Sequence, residues 1–108
     1  MKLIRAIVRT ERETEVLESL EAAGLYGVTK VPVVGRGRQQ GIQVGDVNYD
    51  MLSKLMLLLA VSDRELPVAI QCIERSAYTG HPGDGKIFVK DLLESHTIRT
   101  GEAIHEDR

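Results

Sequence analysis

The chain has 108 residues, a formal net charge of −2 and a single cysteine, Cys72; this length sets one domain with a modest core, and the charge balance excludes a protein built to coat nucleic acid. Hydrophobic residues make up 43% and charged residues 28%, as in soluble globular domains, and the longest apolar run, Leu55 to Val61, covers seven positions against the ~18 of a membrane span. One cysteine rules out an internal disulfide and Lys2 and Arg5 are followed at once by Arg9, Glu11 and Arg12, so no signal peptide and no membrane insertion are expected, and a reducing, cytoplasmic location is.

Lys2 to Arg9, rich in Ile and Val, is predicted as a first strand. Thr10 follows as a helix cap, with Glu13 completing a capping box. The helix places Val16, Leu17, Leu20 and Ala23 on one face, and Gly24 ends it. Val28 to Val34 is a second strand; Pro32 cannot donate to a ladder, so it requires an edge position or a place where the backbone nitrogen faces outward. The long connection that follows opens on Gly35-Arg36-Gly37-Arg38-Gln39-Gln40-Gly41. Its arginines read by themselves as solvated loop charges, but connections this long in compact domains are usually functional or mobile. Leu55 to Val61 is a third strand, apolar enough to be covered on both faces. Asp63 caps a second helix running to about Ala77, with Leu66, Ala69, Ile70, Ile73 and Ala77 inward and Cys72 beside them. Lys86 to Lys90 forms a fourth strand and Thr97-Ile98-Arg99 a short fifth. The charged tail from Glu102 to Arg108 is expected to fray.

The order strand, helix, strand, long loop, strand, helix, strand is α+β and matches the ferredoxin-like βαββαβ arrangement. Its antiparallel sheet carries both helices on one face. The other face is left apolar, and its burial is the physical case for an oligomer.

Between the second helix and the fourth strand lies Thr79-Gly80-His81-Pro82-Gly83-Asp84-Gly85-Lys86. Its glycines let main-chain N–H groups approach a ligand, and Lys86 adds a positive charge where they converge. This suits a phosphate-bearing ligand, although the loop is not of the Walker type and no Ser or Thr follows the lysine. A hairpin-type turn with Asp84-Gly85 at its corner is the competing reading, and in both Asp84 shapes the turn or contacts ligand. His81, His96 and His105 lack the spacing of a metal site, and Tyr26 and Tyr78 read as packing residues.

Several segments in order along the chain resemble the nitrogen regulatory PII family. Thr79 through Val89 is similar to its C-terminal signature, with Gly83-Asp84-Gly85-Lys86-Ile87-Phe88 as the core. Gly35, Gly37-Arg38-Gln39 and Gly41 resemble the base of the family's T-loop, here about residues 37–54. Arg99-Thr100-Gly101-Glu102 resembles its closing segment (97–102), and Met1-Lys2-Leu3-Ile4 with Ala6-Ile7-Val8 its opening strand. One PII-like domain over residues 1–108 follows, with its nucleotide loop at about 79–86.

The resemblance implies a homotrimer whose sheets face inward, with ATP or ADP in the clefts between subunits. Gly83, Asp84, Gly85 and Lys86 would hold the phosphates, while Gly35, Gly37, Arg38 and Gln39 close the site from the T-loop base. Ile7 and Thr29 would lie near the base and ribose, and Arg99 would reach the phosphates from the neighbouring subunit. The implied effector is 2-oxoglutarate, bound with Mg²⁺ and ATP. Gly37, Gln39 and Gly41 would line its site, Gln39 ligating the metal and Lys54 pairing with the distal carboxylate; an oxygen-rich set suits Mg²⁺.

The chain departs from the family pattern at Thr97, where most relatives carry arginine, at Gln40 (commonly lysine) and at Leu58 (commonly glutamate). The uridylylated tyrosine motif is absent, since Tyr49 is flanked by Asn48 and Asp50, and the T-loop is about four residues short. A short loop with Val44-Gly45-Asp46-Val47 resembles the subgroup encoded beside nitrogenase genes, which works with a second PII-type paralogue and binds nitrogenase. The expected role is non-enzymatic control of nitrogenase by contact. Control of an ammonium transporter or another nitrogen-metabolism enzyme is the alternative, and a slow ATPase the third.

Overall fold

The computed structural model describes residues 1–36, 43–44, 47–48 and 51–105. In chain order the elements are β1 (Lys2–Arg9), a 3₁₀ turn (Thr10–Arg12), α1 (Glu13–Ala22), β2 (Thr29–Gly35), β3 (Gln43–Val44), β4 (Val47–Asn48), β5 (Leu52–Val61), α2 (Leu66–Ala77), β6 (Gly85–Asp91), β7 (Glu94–His96) and β8 (Ala103–His105). The main sheet has the order β2-β5-β1-β6, and every pairing within it is antiparallel. This is the α+β, ferredoxin-like βαββαβ fold. β3 and β4 form a small antiparallel pair within the long connection.

Alternation along the two central strands builds the core. Ile4, Ala6 and Val8 of β1 and Leu55, Leu57, Leu59 and Val61 of β5 are buried together with Val16 and Leu20 of α1 and Ala69, Ile73 and Ala77 of α2. Period two on the strands meets period 3.6 on the helices, so both helices share one face of the sheet. Along β5 the intervening residues are only partly covered, so the strand is not buried on both faces within one chain. The pleat puts Leu3, Ile7, Met56 and Phe88 on that second face, and Phe88 is 52% exposed. β2 is an edge strand, which accommodates Pro32 as anticipated.

Helix ends differ from expectation where local chemistry has a choice. Thr10 does not cap α1: its hydroxyl reaches the Ser53 carbonyl at 3.4 Å, and a 3₁₀ turn intervenes before Glu13. Glu13 instead accepts from Lys30 at 2.9 Å. Past the end of α1, Gly24 adopts φ +82°, with Leu25 N–H on the Leu20 carbonyl and Gly24 N–H on that of Glu21, both 2.9 Å; this is the Schellman pattern that glycine permits. Ala23, expected inward, is exposed there. At α2 the cap is not Asp63. Ser62 and Glu65 close a reciprocal box, with Ser62 N–H on Glu65 Oε1 at 2.9 Å and Glu65 N–H on Ser62 Oγ at 3.1 Å. Asp63 lies 3.4 Å from the terminal amine instead.

The largest departure is C-terminal. Thr97-Ile98-Arg99 is not a strand. The strand is β7, pairing with β8 so that Ser95 faces Ile104, and residues 97–102 make the turn between them. Thr97 N–H bonds the Glu102 carbonyl at 2.8 Å, Gly101 N–H bonds that of Thr97 at 2.7 Å, and Gly101 takes φ +72°. The expected fraying tail therefore contributes β8 at Ala103–His105, and its last three residues lie outside the described ones. Tyr26 and Tyr78 are 74% and 70% exposed in the single chain rather than packed.

Candidate functional site

The glycine loop leaves the end of α2 and enters β6 where Gly85 pairs with Val8. It therefore sits over the C-terminal end of β1, beside Arg9. Arg9 in turn stands opposite Lys54 of β5, and Gly35 closes the same end of the sheet through its partner Leu52. Register brings Ile7, Gly35, Lys54, Gly85 and Lys86 to one end, with Ile7 directly opposite Lys86, and Gly83 and Asp84 arrive there on the loop that leads into Gly85.

Asp84 is the hub of the loop. Its Oδ2 accepts from the N–H groups of Thr79 and Gly80, both at 2.9 Å. Its Oδ1 accepts from the Thr79 hydroxyl and from Arg9 Nε at 3.0 Å. Of the two roles foreseen for Asp84, the geometry serves turn shaping: the carboxylate faces its own loop. These bonds, the Thr79 hydroxyl foremost, then the Thr79 amide, then Arg9 and the Gly80 amide, hold its pKa far below the usual carboxylate range.

A depressed pKa means that Asp84 stabilises the fold fully above the ordinary carboxylate pKa of about 3.9, and that this contribution is lost as the pH falls from there toward the lower folded value. Thermal unfolding followed from pH 7 to pH 2.5 should therefore show a flatter acid limb for Asp84→Asn than for wild type. Parallel limbs would remove this assignment.

Cations surround the loop. Arg9 Nη2 donates to the Pro82 carbonyl at 2.7 Å and to that of His81 at 3.5 Å. Lys54 donates to the Gly83 carbonyl. Its pKa is lowered, chiefly by burial and then by the charge of Arg9, with Glu11 and Asp84 opposing. With Lys86 beside them, Arg9 and Lys54 leave this end of the sheet with surplus positive charge. A cleft of 680 Å³ opens here, lined among others by Ile7, Ala77, Tyr78, Asp84 and Lys86.

Two of the expected site residues stand elsewhere in the single chain. Thr29 begins β2 opposite Leu58, six positions along the strand from Gly35, or about 20 Å. Arg99 sits on the β7–β8 turn, beyond the far end of β6, where Leu92 N–H bonds the Met1 carbonyl at 3.0 Å. Gly37, Arg38, Gln39 and Gly41 lie outside the described residues. Arg9 and Thr79, absent from the sequence-based set, are central. Thr79 carried a signal, as the polar residue opening the loop that Asp84 closes, whereas Arg9 meets Asp84 only through the β1–β6 register. Among the described residues no cluster of His, Cys, Asp and Glu could hold a metal ion, and no helix is long and apolar enough to cross a membrane.

A sequence model of the family described as "Nitrogen regulatory protein P-II" matches residues 1–102. The chain is 50% identical over 102 residues to the nitrogen fixation nifHD2 region GlnB-like protein 1 of Methanosarcina barkeri, covering 94% of this chain and 97% of that protein. It is 49% identical, with the same coverage, to the nitrogen fixation nifHD region GlnB-like protein 1 of Methanothermococcus thermolithotrophicus. To the nitrogen regulatory protein P-II 2 of Methanothermobacter thermautotrophicus it is 44% identical over 107 residues, covering 95% and 93%.

Proposed function

Because the chain belongs to the nitrogen regulatory protein P-II family, a family of regulatory signalling proteins, we propose that it binds ATP or ADP between the subunits of a homotrimer, senses 2-oxoglutarate, and regulates nitrogenase by direct contact. The observation that carries this reading is the loop itself. Its one carboxylate is turned inward onto Thr79, Gly80 and Arg9, while Lys54 and Lys86 add positive charge beside a cleft. A polyanion fits such a site, since charge-assisted bonds are roughly twice as strong as neutral ones. A bound nucleotide supplies the negative phosphates; Gly83, Asp84, Gly85 and Lys86 would hold them, with Gly35, Gly37, Arg38 and Gln39 closing from the T-loop base.

Two features support a site shared between copies. Thr29 and Arg99 stand away from the loop of their own chain, so a pocket that uses all of these residues needs a second chain. The second face of the sheet also leaves Leu3, Ile7, Met56 and Phe88 partly exposed beside Arg5 and Lys90, which suits a surface that meets its copies. For the effector, Gln39 would ligate Mg²⁺, Gly37 and Gly41 would line the site, and Lys54 would pair with the distal carboxylate of 2-oxoglutarate. Lys54 donates to Gly83 in the structure, so a dicarboxylate would compete for the ammonium and couple effector to nucleotide loop. The effector must bind the T-loop's two conformations with different affinity, because equal affinity shifts nothing. Relatives named for nitrogen-fixation nifHD regions support nitrogenase as the target; assembly with a second P-II-type paralogue belongs to the same reading.

Isothermal titration tests the ligand part. ATP and ADP should each bind, and 2-oxoglutarate should bind only when Mg²⁺ and ATP are present. Folded protein that releases no heat with either nucleotide would overturn the reading. Pull-down from nitrogen-fixing cells tests the target: nitrogenase subunits support it, and an ammonium transporter recovered in their place replaces it.

A further inference from the structure

We propose that Arg9 is the positioning residue of the glycine loop, deciding which side of the loop presents its amides to the phosphates without itself touching the ligand. The inference rests on the reading of that loop as a nucleotide site. Arg9 is the last residue of β1, and its side chain is 22% exposed against 25% for Asp84, so the pair is largely withdrawn from solvent. Its guanidinium spans three acceptors: Asp84 Oδ1 at 3.0 Å, the Pro82 carbonyl at 2.7 Å and the His81 carbonyl at 3.5 Å.

The consequence follows from peptide geometry. Every peptide bond described is trans, and in a planar trans peptide the carbonyl and the following N–H point in opposite directions. Drawing the Pro82 carbonyl onto Arg9 turns the Gly83 N–H away from the guanidinium. Lys54, holding the Gly83 carbonyl, does the same for the Asp84 N–H. Gly83 can accept this arrangement because its φ is +100°, where a side chain would be strained. Successive N–H groups presented in this way make an anion-binding concavity. Arg9 has a second effect: it pairs with Asp84, a carboxylate that would otherwise repel phosphates from within the loop.

Removing Arg9 should therefore free the carbonyls and uncover the Asp84 charge together. Arg9→Ala is expected to weaken ATP binding about tenfold or more and to speed amide hydrogen exchange at Gly83 and Asp84, with the oligomer mass unchanged. Arg9→Lys should recover part of the affinity, since an ammonium can hold one acceptor but cannot span the fork. Asp84→Asn placed in the Arg9→Ala background should also recover part by removing the repulsion. Should Arg9→Ala not fold, Arg9→Gln, which keeps an amide donor, takes its place in the same measurements. ATP affinity unchanged in the variant overturns the inference and leaves the nucleotide reading intact. A loss relieved by neither Arg9→Lys nor Asp84→Asn marks a merely structural residue and also overturns it. Wild type that binds no ATP removes the nucleotide reading and this inference with it.

Discussion

Gly85→Ala is expected to destabilise the protein by about 4 kcal/mol or more, at the extreme of single substitutions, and to detach β6 from β1. Gly85 has φ +110°, and a Cβ built there would lie 1.7 Å from the Ile7 carbonyl oxygen, 2.8 Å from the Ile7 carbonyl carbon and 3.3 Å from Val8 Cα. All three are backbone atoms of a central strand, so no side chain can swing aside. Either β6 lifts, opening the pairs Ala6 with Ile87 and Ile4 with Val89, or the chain does not fold. Gly24→Ala is the control: its φ is +82° but nothing lies within 4 Å of the added carbon. That substitution carries only the left-handed penalty of about 1–2 kcal/mol. Urea unfolding of the two variants, with hydrogen exchange along β6, measures the contrast. Gly85→Ala within about 1 kcal/mol of Gly24→Ala would show that the close approach of β6 to Ile7 is not as described.

Lys86→Ala is expected to weaken ATP and ADP binding by about a hundredfold while leaving thermal unfolding within a degree or two. A hydrogen bond to a charged partner contributes about 1.5–3 kcal/mol, and the neighbouring cations Arg9 and Lys54 are already engaged by Asp84 and by the Pro82 and Gly83 carbonyls. Lys86 is exposed at the start of β6, opposite Ile7, and no hydrogen bond within the described chain depends on it, so stability should not follow affinity. The measurement is the ATP dissociation constant at low and at moderate salt. The variant should show a shallower salt dependence, because one screened charge fewer contributes. A change of less than about twofold would place the phosphates away from Lys86.

The two variants separate two uses of one short segment. Gly85 is needed because a strand must pass close to another backbone, and Lys86 because a charge must stand at the end of that approach. Their adjacency also explains the inward turn of Asp84. A carboxylate two positions from Lys86 would weaken the proposed phosphate site if it faced outward, and the Thr79 and Gly80 amides together with Arg9 satisfy it internally.

Much of this was legible in the residues alone. The partial alternation in Lys2–Arg9, the strand composition of Leu55–Val61, the apolar face of the second helix and Gly24 past the end of the first all act through neighbours a few positions away, whereas the one-sided burial of Leu55–Val61 does not. The former interactions are local, so sequence order encodes them. Where two local solutions compete, the residues did not choose between them. Ser62 and Asp63 can both cap α2, and the reciprocal bond to Glu65 is available only from Ser62. Thr97-Ile98-Arg99 has strand composition, yet Gly101 and the Thr97–Glu102 bonds place a turn there.

The sequence by itself determined the class of fold, the loop with its lysine, and the family kinship, because motif chemistry lies in contiguous residues. Tertiary structure alone decided that Arg9 and Lys54 grip that loop from behind and that Asp84 faces inward. Arg9 and Asp84 are 75 positions apart, and no rule of spacing joins them. What joins them is the register of β1 against β6 and β5, set by burying one face of the sheet under two helices.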